Sequence, residues 1–293
     1  MKEKNVDKIH FLNTGHSDCI LLESDGHFAL VDAAEDTEYP LDKPNLNLPG
    51  YEDVVIDYLL SHCADESGNV YLDFVLGTHA HSDHIGGFDS VILQPQIHVK
   101  QAYLRKYTAD NVNIMERTRW DNQEVYDQMI HALKETNTPL SQDFNGKSFK
   151  MGNFNITFMH GKNKKHLIKY GENTNSVVTL VEKNGTKILL AGDMNHRLDD
   201  EKRVAKTVGK VHLLKAGHHG YPGSNGIRYI KKISPDFTIF TNYRKNIFKH
   251  IVFIIEKIGH SKLLTTVEEN GIIADIYGEG KIVFHRNIMD KRN

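Results

Sequence analysis

Short apolar runs, partly alternating with polar residues, open the chain. Residues 8–13 (Lys-Ile-His-Phe-Leu-Asn), 19–23 (Cys-Ile-Leu-Leu-Glu) and 27–32 (His-Phe-Ala-Leu-Val-Asp) read as strands. Turn formers separate them at positions 15–18 and 24–26, which predicts an antiparallel meander. Over residues 51–63 the spacing becomes helical, with Val54, Val55, Tyr58, Leu59 and His62 on one stripe, and 72–77 is a buried strand. Gly86 and Gly87 follow a histidine-rich loop and permit a tight turn before Phe88. Residues 97–104 predict another strand, and 114–136 a long helix through Trp120, Val125, Met129, Ile130 and Leu133. Residues 137–150 read as a polar loop, 154–159 as a strand, and 176–181 with 187–191 as a hairpin turning at Asn184-Gly185. Helices at 198–208, 226–233 and 247–259 then interleave with strands at 211–215, 237–241, 263–267, 272–276 and 281–285. Strands prevail in both halves with helices between them, so the expected class is α/β (α+β), two packed sheets with helices outside. One domain over 1–293, with its core at about 8–285, is expected, because no repeat or linker divides the chain.

Composition narrows the picture. With 293 residues, 39% of them hydrophobic and 25% charged, the chain can bury a large core and is neither disordered nor fibrous. No apolar run has the length of a signal peptide or membrane span, so a cytoplasmic protein is expected. Cys19 and Cys63 lie in apolar contexts and read as buried free thiols. A formal net charge of −2 gives no global field for nucleic acid or an anionic membrane. The basic run Lys162, Lys164, Lys165, His166 and Lys169 is either a solvated loop or a steering patch for a phosphate-bearing substrate. The 18 histidines are the unusual feature, several of them beside Asp or Gly.

Residues 78–87 are Thr-His-Ala-His-Ser-Asp-His-Ile-Gly-Gly. In an extended loop alternate side chains point the same way, so His79 and His81 can grip one metal ion while Asp83 and His84 turn to a second. Imidazole with carboxylate suits Zn²⁺, with Mn²⁺ or Fe²⁺ as substitutes. A surface histidine cluster is the plainer alternative. Asp193 ends the apolar strand Leu189-Leu-Ala-Gly and is a candidate bridge between two ions, or else a helix cap. His218 and His219, between Gly217 and Gly220 after a further strand, offer one metal ligand and one group for phosphate contact or proton transfer. A satisfied core pair is their plainer reading.

These three loops, in this order, resemble the metallo-β-lactamase superfamily, whose fold is an αββα four-layer sandwich. Within it, Asn13-Thr-Gly-His-Ser-Asp18, Glu172-Asn-Thr-Asn-Ser-Val177 and His218-His-Gly-Tyr-Pro-Gly-Ser224 resemble the branch holding the hydrolase domain of bacterial DNA-uptake proteins and the phosphorylcholine esterases. Ala102-Tyr-Leu-Arg-Lys-Tyr107, Arg119-Trp-Asp-Asn122 and Gly209-Lys-Val-His-Leu-Leu-Lys215 are similar to the phosphorylcholine esterase module. The resemblance implies two zinc ions held by His79, His81, Asp83, His84, Asp193 and His219, with His218 as phosphate contact or proton donor. The reverse assignment of His218 and His219 stays open. It implies supporting roles for Asp18 and Asp32. The chain departs from the pattern where most members carry another histidine before the hairpin. Here Glu172, Asn173 and Asn175 stand at that place, and His160 is another candidate. The choline-binding repeats and export signal of the esterases do not occur in this sequence.

The activity this implies is hydrolysis of a phosphodiester, with Asp83, Asp193 and His218 in the chemistry and phosphorylcholine esters as the specific substrate. Tyr103, Tyr107, Trp120 and Tyr126 are available for an aromatic cage around a quaternary ammonium, core packing being the alternative. A nuclease is a second reading, weakened by the charge balance and by the lack of a basic, aromatic groove signature. A metal-binding or interaction protein without turnover is the third. Partners beyond a phosphodiester substrate, and the oligomeric state, are not indicated.

Overall fold

The structure is a computed structural model that describes residues 6–36, 49–160, 171–196 and 199–290. The basic run Lys162–Lys169 lies outside the described residues. Strands β1 (Asp7–Phe11), β2 (Cys19–Ser24), β3 (His27–Ala33), β4 (Val70–Gly77), β5 (Ile97–Val99), β6 (Ala102–Leu104) and β7 (Leu140–Ser141) form one sheet with β15 (Ile272–Gly278) and β16 (Lys281–Arg286). Its order is β16-β15-β1-β2-β3-β4-β6-β7, with β5 also on β4. The other sheet contains β8 (Ser148–Met151), β9 (Phe154–Met159), β10 (Val178–Lys183), β11 (Thr186–Leu190), β12 (Leu213–Lys215), β13 (Phe237–Phe240) and β14 (Lys262–Thr265), adjacent in sequence order. Each sheet is mixed. The meander β1-β2-β3 is antiparallel and β3-β4-β6 parallel, while β8 to β11 are antiparallel and β11 to β14 parallel.

Side-chain alternation builds the layers. Ile20, Leu22, Ala29 and Val31 meet Phe154, Ile156, Phe158 and Ile188 between the sheets. Leu21 and Leu30 face the other way, onto α1 (Glu52–Cys63), α3 (Phe88–Leu93) and α5 (Asn122–Glu135). On the second sheet, Leu189 faces α6 (Asp200–Val208), α7 (Ile227–Ile233) and α8 (Lys249–Phe253). Two sheets therefore pack face to face between two helical layers, as the period-two pattern predicts. The hairpin at Asn184-Gly185 is present with positive φ at both residues, +43° and +80°.

Two helix expectations need correction. Residues 114–136 are two helices, α4 (Ile114–Arg119) and α5, because Trp120 adopts an extended backbone between them and α4 buries no residue. The C-terminal helix is shorter than predicted, an α-helical Lys249–Phe253 running into a π-helical turn at Ile254–Ile258. The glycine pair closes the histidine loop as expected, with φ of −53° and −76°. What requires glycine is close approach, since a Cβ at Gly87 would lie 2.4 Å from the Ala33 carbonyl oxygen and one at Gly86 2.6 Å from Asp36 N.

Both cysteines are buried and free. Among the described residues no helix is long and apolar enough to cross a membrane.

Candidate metal centre

The site gathers where strands of both sheets end, the usual place for function in open α/β sheets. The β4 loop brings Thr78 to Gly87, β11 leads to Asp193, β12 to His218 and His219, β13 to Thr241, and the β1–β2 turn brings Asp18. Backbone bonds stitch these loops together: Asp18 N to Asp83 O at 3.0 Å, Ala34 N to Asp18 O at 2.8 Å and, across the two sheets, Val177 N to Thr78 O at 2.9 Å.

His79 and His81 occupy the extended stretch, with His81 at φ −94°, ψ 148°, and their facing nitrogens Nε2 and Nδ1 are 3.1 Å apart. The chain then turns into α2 (Ser82–Ile85), which swings Asp83 and His84 the other way. His84 Nε2 lies 3.1 Å from His219 Nε2 and 3.3 Å from Asp193 Oδ1, while His219 Nε2 lies 3.4 Å from Asp193 Oδ1 and 3.3 Å from Asp83 Oδ2. Asp193 Oδ2 reaches toward the first pair, 3.9 Å from His79 Nε2. Among the described residues Asp193 is thus the carboxylate that reaches both positions, and it does not cap a helix.

The groups behind each ring decide what these nitrogens present. His84 Nδ1 is 2.7 Å from Asp32 Oδ2, whose oxygens also accept from Thr78 N and Thr78 Oγ1 at 2.8 Å. His219 Nδ1 faces the Thr241 carbonyl at 3.2 Å and Thr241 Oγ1 at 3.0 Å, and that hydroxyl donates to Asp18. Both Nδ1 atoms therefore carry protons, which leaves the two Nε2 atoms facing each other and the oxygens of Asp83 and Asp193 as the positions open to a metal ion. Among the described residues the buried Asp193 Oδ1 makes no hydrogen bond. Such a set calls for a cation, either a proton on His84, whose pKa the surrounding carboxylates raise, or a metal ion in its place. Tetrahedral coordination at about 2.0–2.2 Å puts ligand atoms about 3.3–3.6 Å apart, near the spacings observed.

Electrostatics agree. Four carboxylates, Asp18, Asp32, Asp83 and Asp193, lie among these groups, and the fully buried Lys215 pairs with Asp18 and donates to the Gly192 carbonyl at 3.2 Å. Burial opposes charge on His84, yet Asp193, Asp83 and Asp32 raise its pKa well above the usual value. Burial likewise opposes ionisation of Asp83 and Asp193, but the facing histidines hold both carboxyls below their ordinary range. Among the described residues the carboxylates of the centre outnumber its lysine and arginine partners.

The first position is looser. No group of three or more ligand atoms within 4.8 Å of one another includes His81, His160, Glu172 or His218 among the described residues. Glu172 instead clamps backbone: its Oε1 accepts from Ala80 N at 3.2 Å and Asn175 Nδ2 at 3.0 Å, while burial pushes its pKa up to about 7. Asn175 gives its carbonyl to Arg105 at 2.7 Å, and Asn173 Oδ1 is buried without a hydrogen bond. His160 packs its ring on Phe144, 5.5 Å between centroids. Glu116 of α4, absent from the sequence expectations, reaches 3.9 Å from His81 Nε2 and takes the Glu172 N–H at 2.9 Å.

His218 and His219 have left-handed φ of 52° and 48°, unusual for two successive non-glycine residues. The loop is held there by Asn225, which bonds Gly217 N at 3.0 Å and Gly217 O at 2.8 Å, and by Asn242 donating to His219 O at 2.9 Å. The effect is to send the two rings to different places. His219 is buried among the acceptors, whereas His218 is partly exposed, with Nε2 3.8 Å from Asp193 Oδ2 and Nδ1 3.3 Å from the Pro222 carbonyl.

The proposed aromatic cage is not assembled. Tyr103 lies in the intersheet core against Phe74, Phe144 and Phe158. Tyr107 and Tyr126 are buried beside each other, 5.8 Å between centroids. Trp120 alone is exposed at the site, stacked on His81 with centroids 6.1 Å apart.

No family model matches the chain. ComE operon protein 3 of Bacillus subtilis is 23% identical over 226 residues, which take in 76% of this chain and 26% of that protein. Recombination protein 2 of Haemophilus influenzae is 24% identical over 180 residues, 61% of this chain and 19% of that one. The chain thus matches only a minor part of each relative's length. Among solved structures, the metallo-β-lactamase fold protein YhfI from Bacillus subtilis superposes with a TM-score of 0.55 at 12% identity, covering 96% of this chain and all of its own. CmlA, a diiron β-hydroxylase from Streptomyces venezuelae, gives 0.54 at 14% identity, over 88% of this chain and 52% of that one. Zn²⁺-bound PqqB from Methylobacterium extorquens gives 0.52 at 13% identity, over 88% and 87%. At such identities the likeness is one of fold, and the chain has the metallo-β-lactamase fold.

Proposed function

We propose that this chain is a metal-dependent hydrolase of phosphodiesters that works with two divalent ions. The observation that carries the reading is the buried convergence of Asp83, His84, Asp193 and His219 within 3.4 Å contacts. These four would hold one ion, and His79, His81 and the second oxygen of Asp193 the other, Zn²⁺ being expected from the nitrogen and oxygen set with Mn²⁺ or Fe²⁺ as substitutes. Bound there, the ions would supply activation of water near neutral pH and neutralise charge developing on the phosphoryl oxygens. The chain's own part is placement and proton handling. Asp193 ties the two positions together, and Asp32 and Thr241 keep lone pairs aimed inward. His218, at the open side, can hold a proton at Nε2 for the departing alkoxide.

The assay is hydrolysis of bis-p-nitrophenyl phosphate by the protein loaded with Zn²⁺ or Mn²⁺, with Asp193→Ala as comparison. Loss of turnover in the variant with an unchanged far-UV circular dichroism spectrum is expected. Turnover at the wild-type rate would falsify the proposal. A protein that binds two equivalents yet hydrolyses no ester would be a metal-binding protein instead. For phosphorylcholine esters, Trp120 is the one of the four expected aromatic residues that offers a cation–π surface beside the site. Turnover of p-nitrophenylphosphorylcholine above that of the simple diester is what that substrate requires. The similarity to Recombination protein 2 favours nucleic-acid cleavage as a second reading, for which salt-sensitive cleavage of single-stranded DNA is the readout.

A further inference from the structure

On the outer face of the second sheet, a cleft of about 690 Å³ lies between α6 and α7, a volume typical of small-molecule sites. Lys202 and Lys206, one turn apart on α6, line it together with Arg228 and Lys232, one turn apart on α7. All four are exposed, and among the described residues none has a hydrogen bond or ion pair, whereas neighbouring Arg203 is occupied by Asp200 at 3.0 Å. The acids on the walls are Asp199 and Glu201. Glu201 is buried, and its oxygens already accept from Gly226 N at 3.3 and 3.1 Å. The cations therefore outnumber the available acid groups.

A second observation concerns Tyr229. This residue lines the same cleft, is 3% exposed, and its hydroxyl has no hydrogen-bond partner. A buried phenol without an acceptor is uncommon. Ile227, 47% exposed, adds an apolar wall.

We propose that this cleft is a second ligand site, taking the polyphosphate group of a small phosphorylated molecule between its two rows of cations. Phosphate oxygens meet Lys202, Lys206, Arg228 and Lys232, and any apolar part of the ligand lies on Ile227. The site is separate from the metal centre and stands whether or not that centre hydrolyses anything. The two are nonetheless neighbours along the chain, because Asn225, which clamps the histidine loop at Gly217, directly precedes the Gly226 that Glu201 holds.

The test is titration calorimetry of the full chain with inorganic tripolyphosphate and with ATP, on the wild type, Lys206→Gln/Lys232→Gln and Asp193→Asn. Binding by the wild type that weakens with salt, falls about tenfold or more in the lysine variant, and persists in Asp193→Asn is expected. Stronger binding of ATP would make the ligand a nucleotide, and equal binding the polyphosphate itself; both support the site. No binding by the wild type, binding insensitive to the lysines, or binding lost with Asp193→Asn overturns it. So does an oligodeoxynucleotide that binds through these lysines when neither small ligand does. The substituted lysines are exposed, so an unchanged thermal midpoint serves as the folding control.

Discussion

At the scale of single residues, the centre depends on protons being kept off four inward-facing positions. Asp32 does this for His84 through one 2.7 Å contact. Asp32→Asn would offer an amide that can present either end to Nδ1, and divalent-ion affinity should fall by about 10–100-fold, the usual effect of losing such a support. Competition against a chromophoric chelator measures it, and unchanged affinity would refute the role. Glu201 gives a pH prediction. Burial pushes its carboxyl up to about 7 from an ordinary 4.5, so the folded state keeps the proton while the unfolded chain releases it. Folding stability from this group is present below about pH 4.5 and is lost as pH rises toward 7, an effect on the order of 3 kcal/mol. In urea titrations, Glu201→Gln should gain on the wild type between pH 5 and pH 8; a constant difference would contradict this. His79, His81, Asp83 and His84 were legible because six consecutive residues carry them. Asp18, Lys215 and Thr241 were harder, since three strand ends bring them together, although a lysine in the apolar run Leu213-Leu214-Lys215-Ala216 was a usable signal for a buried, paired cation.

Among elements, the meander and the Asn184-Gly185 hairpin could be read directly because alternation and turn chemistry are local. The stripe from Ile114 to Leu133 could not. Helical spacing of apolar residues normally marks a buried face, but Ile114 and Met115 are 66% and 57% exposed, and α4 lies beside His81 with Glu116 bonded to Glu172 N. Its apolar residues do not face the core, so periodicity alone could not reveal the break at Trp120. The glycine pair yields an element-level prediction. Gly87→Ala must push the α3 start away from the Ala33 carbonyl, and a loss of about 1–3 kcal/mol is expected from such overpacking. Chemical denaturation measures the loss, and a stability equal to that of the wild type would show that the contact is not limiting.

For the whole molecule, the two sheets matter because neither holds the site alone. The first contributes Asp32 and the histidine loop, the second Asp193, His219 and Thr241, and Val177 N to Thr78 O joins them. The class of two sheets between helices followed from the order of strands and helices, but the sheet order did not, because β15 and β16 return to the first sheet from the far end of the sequence. The likeness to YhfI, CmlA and PqqB establishes this fold and leaves the chemistry to the residues. The most direct test of the central claim is a calorimetric titration of the metal-stripped protein with Zn²⁺. Two binding steps are predicted, the tighter one at Asp83, His84, Asp193 and His219 and abolished by His219→Ala, the weaker at His79 and His81. A protein that takes up no zinc, or binds it as well after His219→Ala, would contradict the account.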